Sequence, residues 1–75
     1  MIKINQDNAE IKFAKNIYNS FKVLQAAKTF TEDCWIGVNE DKENIIIQIK
    51  PKNNQDLQKT ADEFNNYVLF LTKGN

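Results

Sequence analysis

Hydrophobic and polar residues alternate along four short segments of this 75-residue chain. The alternation runs through residues 2–4, 9–14, 34–38 and 44–50. A two-residue period is typical of β-strands with one buried face, because successive side chains of a strand point to opposite sides of a sheet. The last three segments therefore predict three strands.

The first two segments are out of step with each other. Ile4 and Ile11 are an odd number of positions apart, which places them on opposite faces of a continuous strand. A bulge or turn around Asp7 and Asn8 would restore a common face. Residues 2–4 therefore either continue the first strand or pair with it as a short edge hairpin.

Two longer segments have hydrophobic residues spaced three or four positions apart, which collects them on one face of a helix. In the first helix they are Val23, Ala26, Ala27 and Phe30, with Leu24 at the edge of the face, and in the second they are Leu57, Ala61, Phe64, Val68 and Leu71. Asn16 or Asn19 can cap the first helix, because an asparagine side chain accepts hydrogen bonds from unpaired backbone N–H groups. Asn54 or Asp56 can cap the second helix, and Gly74 is suited to end it.

The connections complete the fold prediction. Residues 39–44 are polar and lack an Asn-Gly turn, so we expect a longer hairpin loop there, and Pro51 ends the third strand. Each helix has one apolar face, so both are expected to cover the same side of the sheet. The sequence predicts one α+β domain over residues 1–75. Its expected form is a two-layer β-α-β-β-α sandwich, with a three-stranded, mainly antiparallel sheet carrying both helices on one face.

Composition narrows the possible functions. The chain has no histidine and one cysteine, which excludes an internal disulfide and leaves too few ligands for a usual structural zinc site. Its lysines are dispersed and balanced by ten acidic residues, which disfavours nucleic acid as a ligand. No apolar run approaches the length of a membrane span or signal peptide. A lone cysteine also suits a reducing compartment, so we expect a cytoplasmic protein without metal or cofactor.

Catalysis by this chain is not expected. Neighbouring acids occur at Glu32-Asp33, Glu40-Asp41 and Asp62-Glu63, where a solvated surface explains them. Cys34 has no histidine to activate it and shares a strand face with hydrophobic residues, so it is expected to be a small buried side chain. Two glycines cannot build a phosphate-binding loop.

Several apolar residues are left outside the predicted core. Trp35 and Ile46 point to the sheet face opposite the helices, and Phe70 lies opposite the apolar stripe of the second helix. Scattered exposed hydrophobic residues are common and need no explanation. The alternative is a surface for a partner or a second copy, since a sheet with an uncovered face and free edges can accept another chain.

The sequence resembles the HxsD family, small proteins of the His-Xaa-Ser peptide-modification systems. The resemblance lies at Tyr18, Val23-Leu24, Ala26-Ala27, Phe30-Thr31, Cys34-Trp35-Ile36, Ile45 to Ile49, Lys50-Pro51-Lys52 and Glu63 to Tyr67. The family's C-terminal signature, Leu-Leu-Asn-Asp-Tyr-x-Leu-Arg-Glu, is matched at Asn65, Tyr67 and Leu69, whereas Phe70 and Leu71 replace its Arg-Glu. The family's proline after the first tyrosine is Asn19 here.

The resemblance implies an accessory protein that accompanies radical S-adenosylmethionine (SAM) enzymes, which modify a ribosomally made precursor peptide. We therefore expect a non-catalytic protein that binds the precursor leader or its radical SAM maturase through a sheet edge or the open face. The expected contacts are Trp35, Ile46, Gln48 and Lys50, with Asn65, Tyr67 and Phe70 as a second candidate surface. The alternatives are a homodimeric structural module that uses the same residues, and an enzyme that uses Cys34.

Overall fold

A computed structural model describes residues 2–73, and the predicted end of the second helix at Gly74 lies outside this range. The elements are β1 (Ile2–Ile4), β2 (Ala9–Ala14), α1 (Ser20–Phe30), β3 (Cys34–Glu40), β4 (Asn44–Pro51) and α2 (Leu57–Lys73). The strands form one sheet in the order β1-β2-β4-β3, with every neighbouring pair antiparallel. The predicted α+β class is confirmed, and the five predicted elements occur in the predicted order after an additional first strand.

The prediction of a three-stranded sheet is wrong, because residues 2–4 form a fourth strand at its edge. The backbone N–H of Asn5 donates to the carbonyl of Asn8 at 2.8 Å, which closes a tight turn between β1 and β2. The turn sets Ile4 opposite Ala9. Opposed residues of paired strands share a face, so this hairpin resolves the odd spacing that a continuous strand could not.

The hairpin between β3 and β4 is tighter than predicted. Instead of a loop over residues 39–44, β3 continues to Glu40 and only residues 41–43 connect it to β4. The Asp41 carboxylate accepts the backbone N–H groups of Glu43 and Asn44 at 2.9 and 2.7 Å. These bonds lower the pKa of Asp41. They also stabilise the turn, which contains no Asn-Gly pair.

Both helices cover the same face of the sheet. Helix α2 packs on β1, β2 and β4, and α1 packs on β3, β4 and α2. The core between the layers consists of Ala9, Ile11, Phe13, Val23, Ala26, Ala27, Cys34, Ile45, Ile47, Ile49, Ala61, Phe64 and Val68. The predicted stripes on both helices therefore face this core, and Leu24 lies outside it, 44% exposed.

Side-chain caps set the starts of both helices. The Asn19 side chain accepts the N–H of Phe21 at 2.8 Å, and the Asp56 carboxylate accepts the N–H of Lys59 at 3.1 Å. Of the candidate caps in the sequence, these two are the ones used. Each satisfies one of the N–H groups that the first turn of a helix leaves without an internal partner.

Phe64 connects the helical layer to the sheet. Its side chain is fully buried, and its ring centroid lies 5.0 Å from that of Phe30 and 6.0 Å from that of Phe13. A chain of this length has a folding free energy of only about 4–11 kcal/mol. The packing around one aromatic ring is therefore a large part of the stability.

We expect Phe64→Ala to lower the free energy of unfolding by about 3–5 kcal/mol, because it leaves a cavity where three aromatic rings meet. Phe70→Ala is the matched control on the same helix, since Phe70 is 66% exposed and should cost about 1 kcal/mol or less. Urea denaturation followed by far-UV circular dichroism measures both. Equal losses for the two variants would contradict this account of the core.

Candidate functional site

The sheet face opposite the helices is uncovered and brings four predicted contact residues together. Ile46, Gln48 and Lys50 alternate along β4 with the buried isoleucines, so their side chains all point to the open face. Trp35 is the cross-strand partner of Lys50 in β3. The four residues form one surface, which we call the open-face patch.

Trp35 dominates the open-face patch. Its side chain is 63% exposed, and the Lys52 ammonium lies 4.7 Å from the ring centroid, in the geometry of a cation–π contact. The Lys50 ammonium lies 3.6 Å from a carboxylate oxygen of Asp7, a loose pair at an exposed site. The patch therefore combines a large aromatic surface with Lys50, and Lys52 lies beside it.

Gly37 leaves a shallow depression beside Trp35. It lies opposite Gln48, and a Cβ atom placed on Gly37 would be 3.3 Å from the Gln48 side-chain oxygen. The depression has a volume of about 230 Å³, and its lining includes Trp35, Gln48 and Lys50. A partner side chain could enter here and contact the bare backbone of β3.

The outer edge of the sheet at β3 carries unpaired backbone groups. The Lys52 N–H donates to the Asp33 carbonyl at 2.9 Å, and the Asp41 N–H donates to the Asn44 carbonyl at 3.0 Å. Hydrogen-bonded pairs alternate along an antiparallel ladder, so the odd-numbered residues of β3 bond to β4. The backbone groups of its even-numbered residues, Ile36 and Val38 among them, therefore point away from the sheet.

The edge is blocked at one end by the chain itself. Glu40 also has an outward N–H by this alternation, and the Asn39 side-chain oxygen accepts it at 2.9 Å. The Glu40 carboxylate lies 2.7 Å from the Lys15 ammonium. The unpaired stretch of the β3 edge is therefore short and is centred on Ile36 and Val38.

An apolar groove lies next to this edge, on the helical side. Val38 is 52% exposed although it lies on the face that carries the helices, so the helices cover this residue only in part. The groove has a volume of about 250 Å³ and is lined by Ser20, Leu24, Val38, Asn39, Glu40 and Ile45. The two-residue period of the strand places Val38 on the same face as the buried Cys34, but it gives no sign of this groove.

Two further exposed hydrophobic residues lie near the start of α1. Phe21 is 82% exposed, and Ile17, four positions earlier, is 70% exposed. Phe21 precedes Leu24 by three positions, so the two side chains are neighbours on the helix. The sequence indicates that Phe21 is exposed, because it lies outside the helical stripe of Val23, Ala26, Ala27 and Phe30. Spacing alone does not show what a residue outside the stripe contacts.

The second candidate surface, predicted from Asn65, Tyr67 and Phe70, is not a single surface in the structure. The Tyr67 and Phe70 rings are stacked on α2, with centroids 6.2 Å apart and planes 19° from parallel. Tyr67 is half-buried, and its ring centroid lies 6.0 Å from that of Phe30. Asn65 is two positions before Tyr67, about 200° around the helix, so it lies on the opposite flank and does not join this pair.

The residues considered for chemistry are not gathered into one site. The three acidic pairs are exposed, and within residues 2–73 no group of three or more metal-ligating side chains is found. Cys34 is buried, and burial, with the nearby Asp33 carboxylate, raises the pKa of its thiol. A raised thiol pKa leaves less of the nucleophilic thiolate at neutral pH. None of the described helices is long and apolar enough to cross a bilayer.

Comparison with protein families gives a match to most of the chain. The model of the family described as His-Xaa-Ser system protein HxsD matches residues 13–70. This chain belongs to the HxsD family. The match runs from the last part of β2 into α2, so it includes α1, β3, β4 and most of α2. Comparisons with curated proteins and with solved structures found no match.

Membership confirms the resemblance read from the sequence and assigns the chain to the His-Xaa-Ser system. The family description names a component of a system and no reaction. Trp35, Ile46, Gln48, Lys50, Asn65, Tyr67 and Phe70 all lie within the matched range. Their predicted role as contacts stays a prediction.

We expect iodoacetamide to alkylate Cys34 of this HxsD protein at least about 100-fold more slowly in the folded state than in urea. The physical reason is that a buried thiol reacts only when the surrounding structure opens. Mass spectrometry against time gives both rates. A folded-state rate close to that of the unfolded chain would contradict the burial of Cys34 and would favour the alternative that the protein is an enzyme that uses this thiol.

Proposed function

We propose that this HxsD protein is a non-catalytic binding subunit of peptide maturation in the His-Xaa-Ser system. Its partner in this proposal is the leader of the precursor peptide or the radical SAM enzyme that modifies it. The site of action is the cytoplasm, and the chain itself carries no metal or cofactor. Family membership supports the place in the system, and the exposed surfaces support binding as the role.

The observation that carries the proposal is the exposure of Trp35 on an uncovered sheet face. A tryptophan that is 63% exposed keeps a large apolar area in contact with water. Tryptophan is enriched among the residues that dominate protein interfaces, because a partner gains much by covering it. Ile46, Gln48 and Lys50 extend this face along β4 with apolar, amide and cationic groups.

The Cys34 thiol argues against the enzyme alternative. Its pKa is raised rather than lowered, and its side chain is 2% exposed. A nucleophilic cysteine needs a neighbouring base or a cationic environment that stabilises the thiolate. The main effects on Cys34 are burial and the Asp33 carboxylate, and both oppose ionisation.

Titration of ¹⁵N-labelled protein with the precursor peptide, and separately with the radical SAM enzyme of the same system, tests the proposal. We expect one of them to shift the Trp35 indole N–H and the amides of Ile46, Gln48 and Lys50. Trp35→Ala should weaken binding by about 2 kcal/mol, roughly thirtyfold, because it removes the aromatic anchor.

Phe70→Ala is the control for this titration, since it removes an equally exposed aromatic ring from the other side of the molecule. A loss of affinity with Phe70→Ala alone would move the contact to the Tyr67–Phe70 pair. The absence of any shift with either partner would refute the binding role.

The homodimeric module is the second candidate, and the same exposed tryptophan favours it. If Trp35 closes a dimer, sedimentation equilibrium of the wild type should give about twice the monomer mass of 8.7 kDa. Trp35→Ser should then restore the monomer. We expect a monomer for both proteins under the binding proposal, and a wild-type dimer that Trp35→Ser dissociates would replace it.

A further inference from the structure

We propose that the β3 edge and the groove beside α1 bind an extended segment of the precursor peptide as a fifth strand. The segment would have hydrophobic residues at alternate positions and lysine or arginine residues at its ends. This inference rests on the proposed function and names the surface and the peptide chemistry that it uses. Unlike the open-face patch, this surface lies at the border between the sheet and the helical layer.

The backbone supplies the first argument. Ile36 and Val38 direct their N–H and carbonyl groups away from the sheet, at the spacing that an added strand pairs with. The other outer strand, β1, has only three residues, so it offers a shorter template than the seven residues of β3. Strand addition to an exposed edge gains main-chain hydrogen bonds regardless of the peptide's sequence.

The groove supplies the side-chain specificity. Residues of an added strand that lie opposite Ile36 and Val38 would point to the helical side, because paired residues share a face. There they would meet the exposed side of Leu24 and the cavity of about 250 Å³ that it lines. The intervening residue, opposite Gly37, would point to the open face beside Trp35. A peptide with hydrophobic residues at alternate positions would therefore place all of them in the groove on the helical side.

Charge argues for a basic peptide rather than a second copy. The β3 strand is preceded by Glu32 and Asp33 and followed by Asp41, all exposed. If two copies paired in antiparallel fashion with Ile36 of one opposite Val38 of the other, Asp33 would face Asp41 at both ends. Like charges directly opposite each other destabilise a strand pair. Lysine or arginine residues at the ends of a foreign strand would meet these carboxylates instead.

The test uses the full-length protein and the unmodified precursor peptide of the system. Binding should slow hydrogen exchange at the amides of Ile36 and Val38 by about tenfold or more, because they become hydrogen-bonded. The outward amides of Ile2 and Ile4 on the β1 edge serve as internal controls and should not change. Exchange is measured by two-dimensional NMR of the ¹⁵N-labelled protein, with and without peptide.

Two variants test the hydrogen bonds and the groove separately. Val38→Pro removes an outward N–H while the ladder to β4 stays intact, and it should weaken peptide binding roughly tenfold. Ile4→Pro is the matched control on the other edge.

Leu24→Lys places a charge in the groove and should weaken binding several-fold, whereas Gln25→Lys adds the same charge one position away and should leave affinity unchanged.

The outcomes separate this inference from the proposed function. Protection at Ile36 and Val38, with losses only for Val38→Pro and Leu24→Lys, would support strand addition. Because Leu24 is on the surface, Leu24→Lys keeps the test valid if Val38→Pro fails to fold. Peptide binding that shifts only the open-face patch, or binding by the radical SAM enzyme alone, would overturn this inference and leave the proposed function standing. No binding of either partner would overturn both.

A dimer is the remaining outcome. If the wild type sediments as a dimer that Val38→Pro dissociates, the β3 edge belongs to a second copy. That result would overturn the peptide assignment. It would also show that the carboxylates at the ends of β3 do not prevent pairing between copies.

Discussion

The burial of the isoleucines of β4 is the interaction on which the rest of the structure depends. Ile45, Ile47 and Ile49 are at most 3% exposed, and β4 is hydrogen-bonded to β2 on one side and β3 on the other. Each fully buried isoleucine contributes about 1.5–3 kcal/mol relative to an exposed one. That is a large share for a chain of 75 residues, whose folded state has little stability to spare.

Both helices pack on one face of this sheet and leave the other face uncovered. The side chains that alternate with the buried isoleucines must point away from the helices, whatever their chemistry, because the strand period is two. Trp35 is placed on the open side for that reason, one residue after the buried Cys34. The exposed surface is thus a consequence of how the core is filled, and it is the part of the fold available for a partner.

The two outer strands differ in what they expose. Strand β1 is a three-residue arm closed by a tight turn, whereas β3 is a seven-residue strand whose centre is only partly covered by α1. Proteins usually protect such edges with charge or by blocking backbone groups. Both devices occur at the ends of β3, in its acidic residues and in the Asn39 side chain that accepts the Glu40 N–H. Neither extends to Ile36 and Val38.

Family membership assigns the chain to the His-Xaa-Ser system. The open-face patch and the β3 edge are the two surfaces on which the binding proposals rest. The open-face patch and the β3 edge adjoin each other at Trp35 and Gly37, so one bound segment could contact both.

Local pattern determined the elements of this protein. Periods of two and of three to four residues, together with candidate caps before each helix, were enough to predict the five main elements, both helical stripes and the burial of Cys34. The structure then selected Asn19 and Asp56 from the candidate caps. These features depend on residues close together in the chain. The resemblance to HxsD was also visible in the residues themselves.

Pairing and packing between the elements decided the rest. The fourth strand, the continuation of β3 to Glu40 and the incomplete cover over Val38 depend on which segments pair and on how the helices pack on the sheet. Sequence spacing assigns Val38 to a face, but it cannot show whether a helix reaches that end of the face. The groove between α1 and β3 therefore exists only in the tertiary structure, because its walls come from residues far apart in the chain that meet through packing.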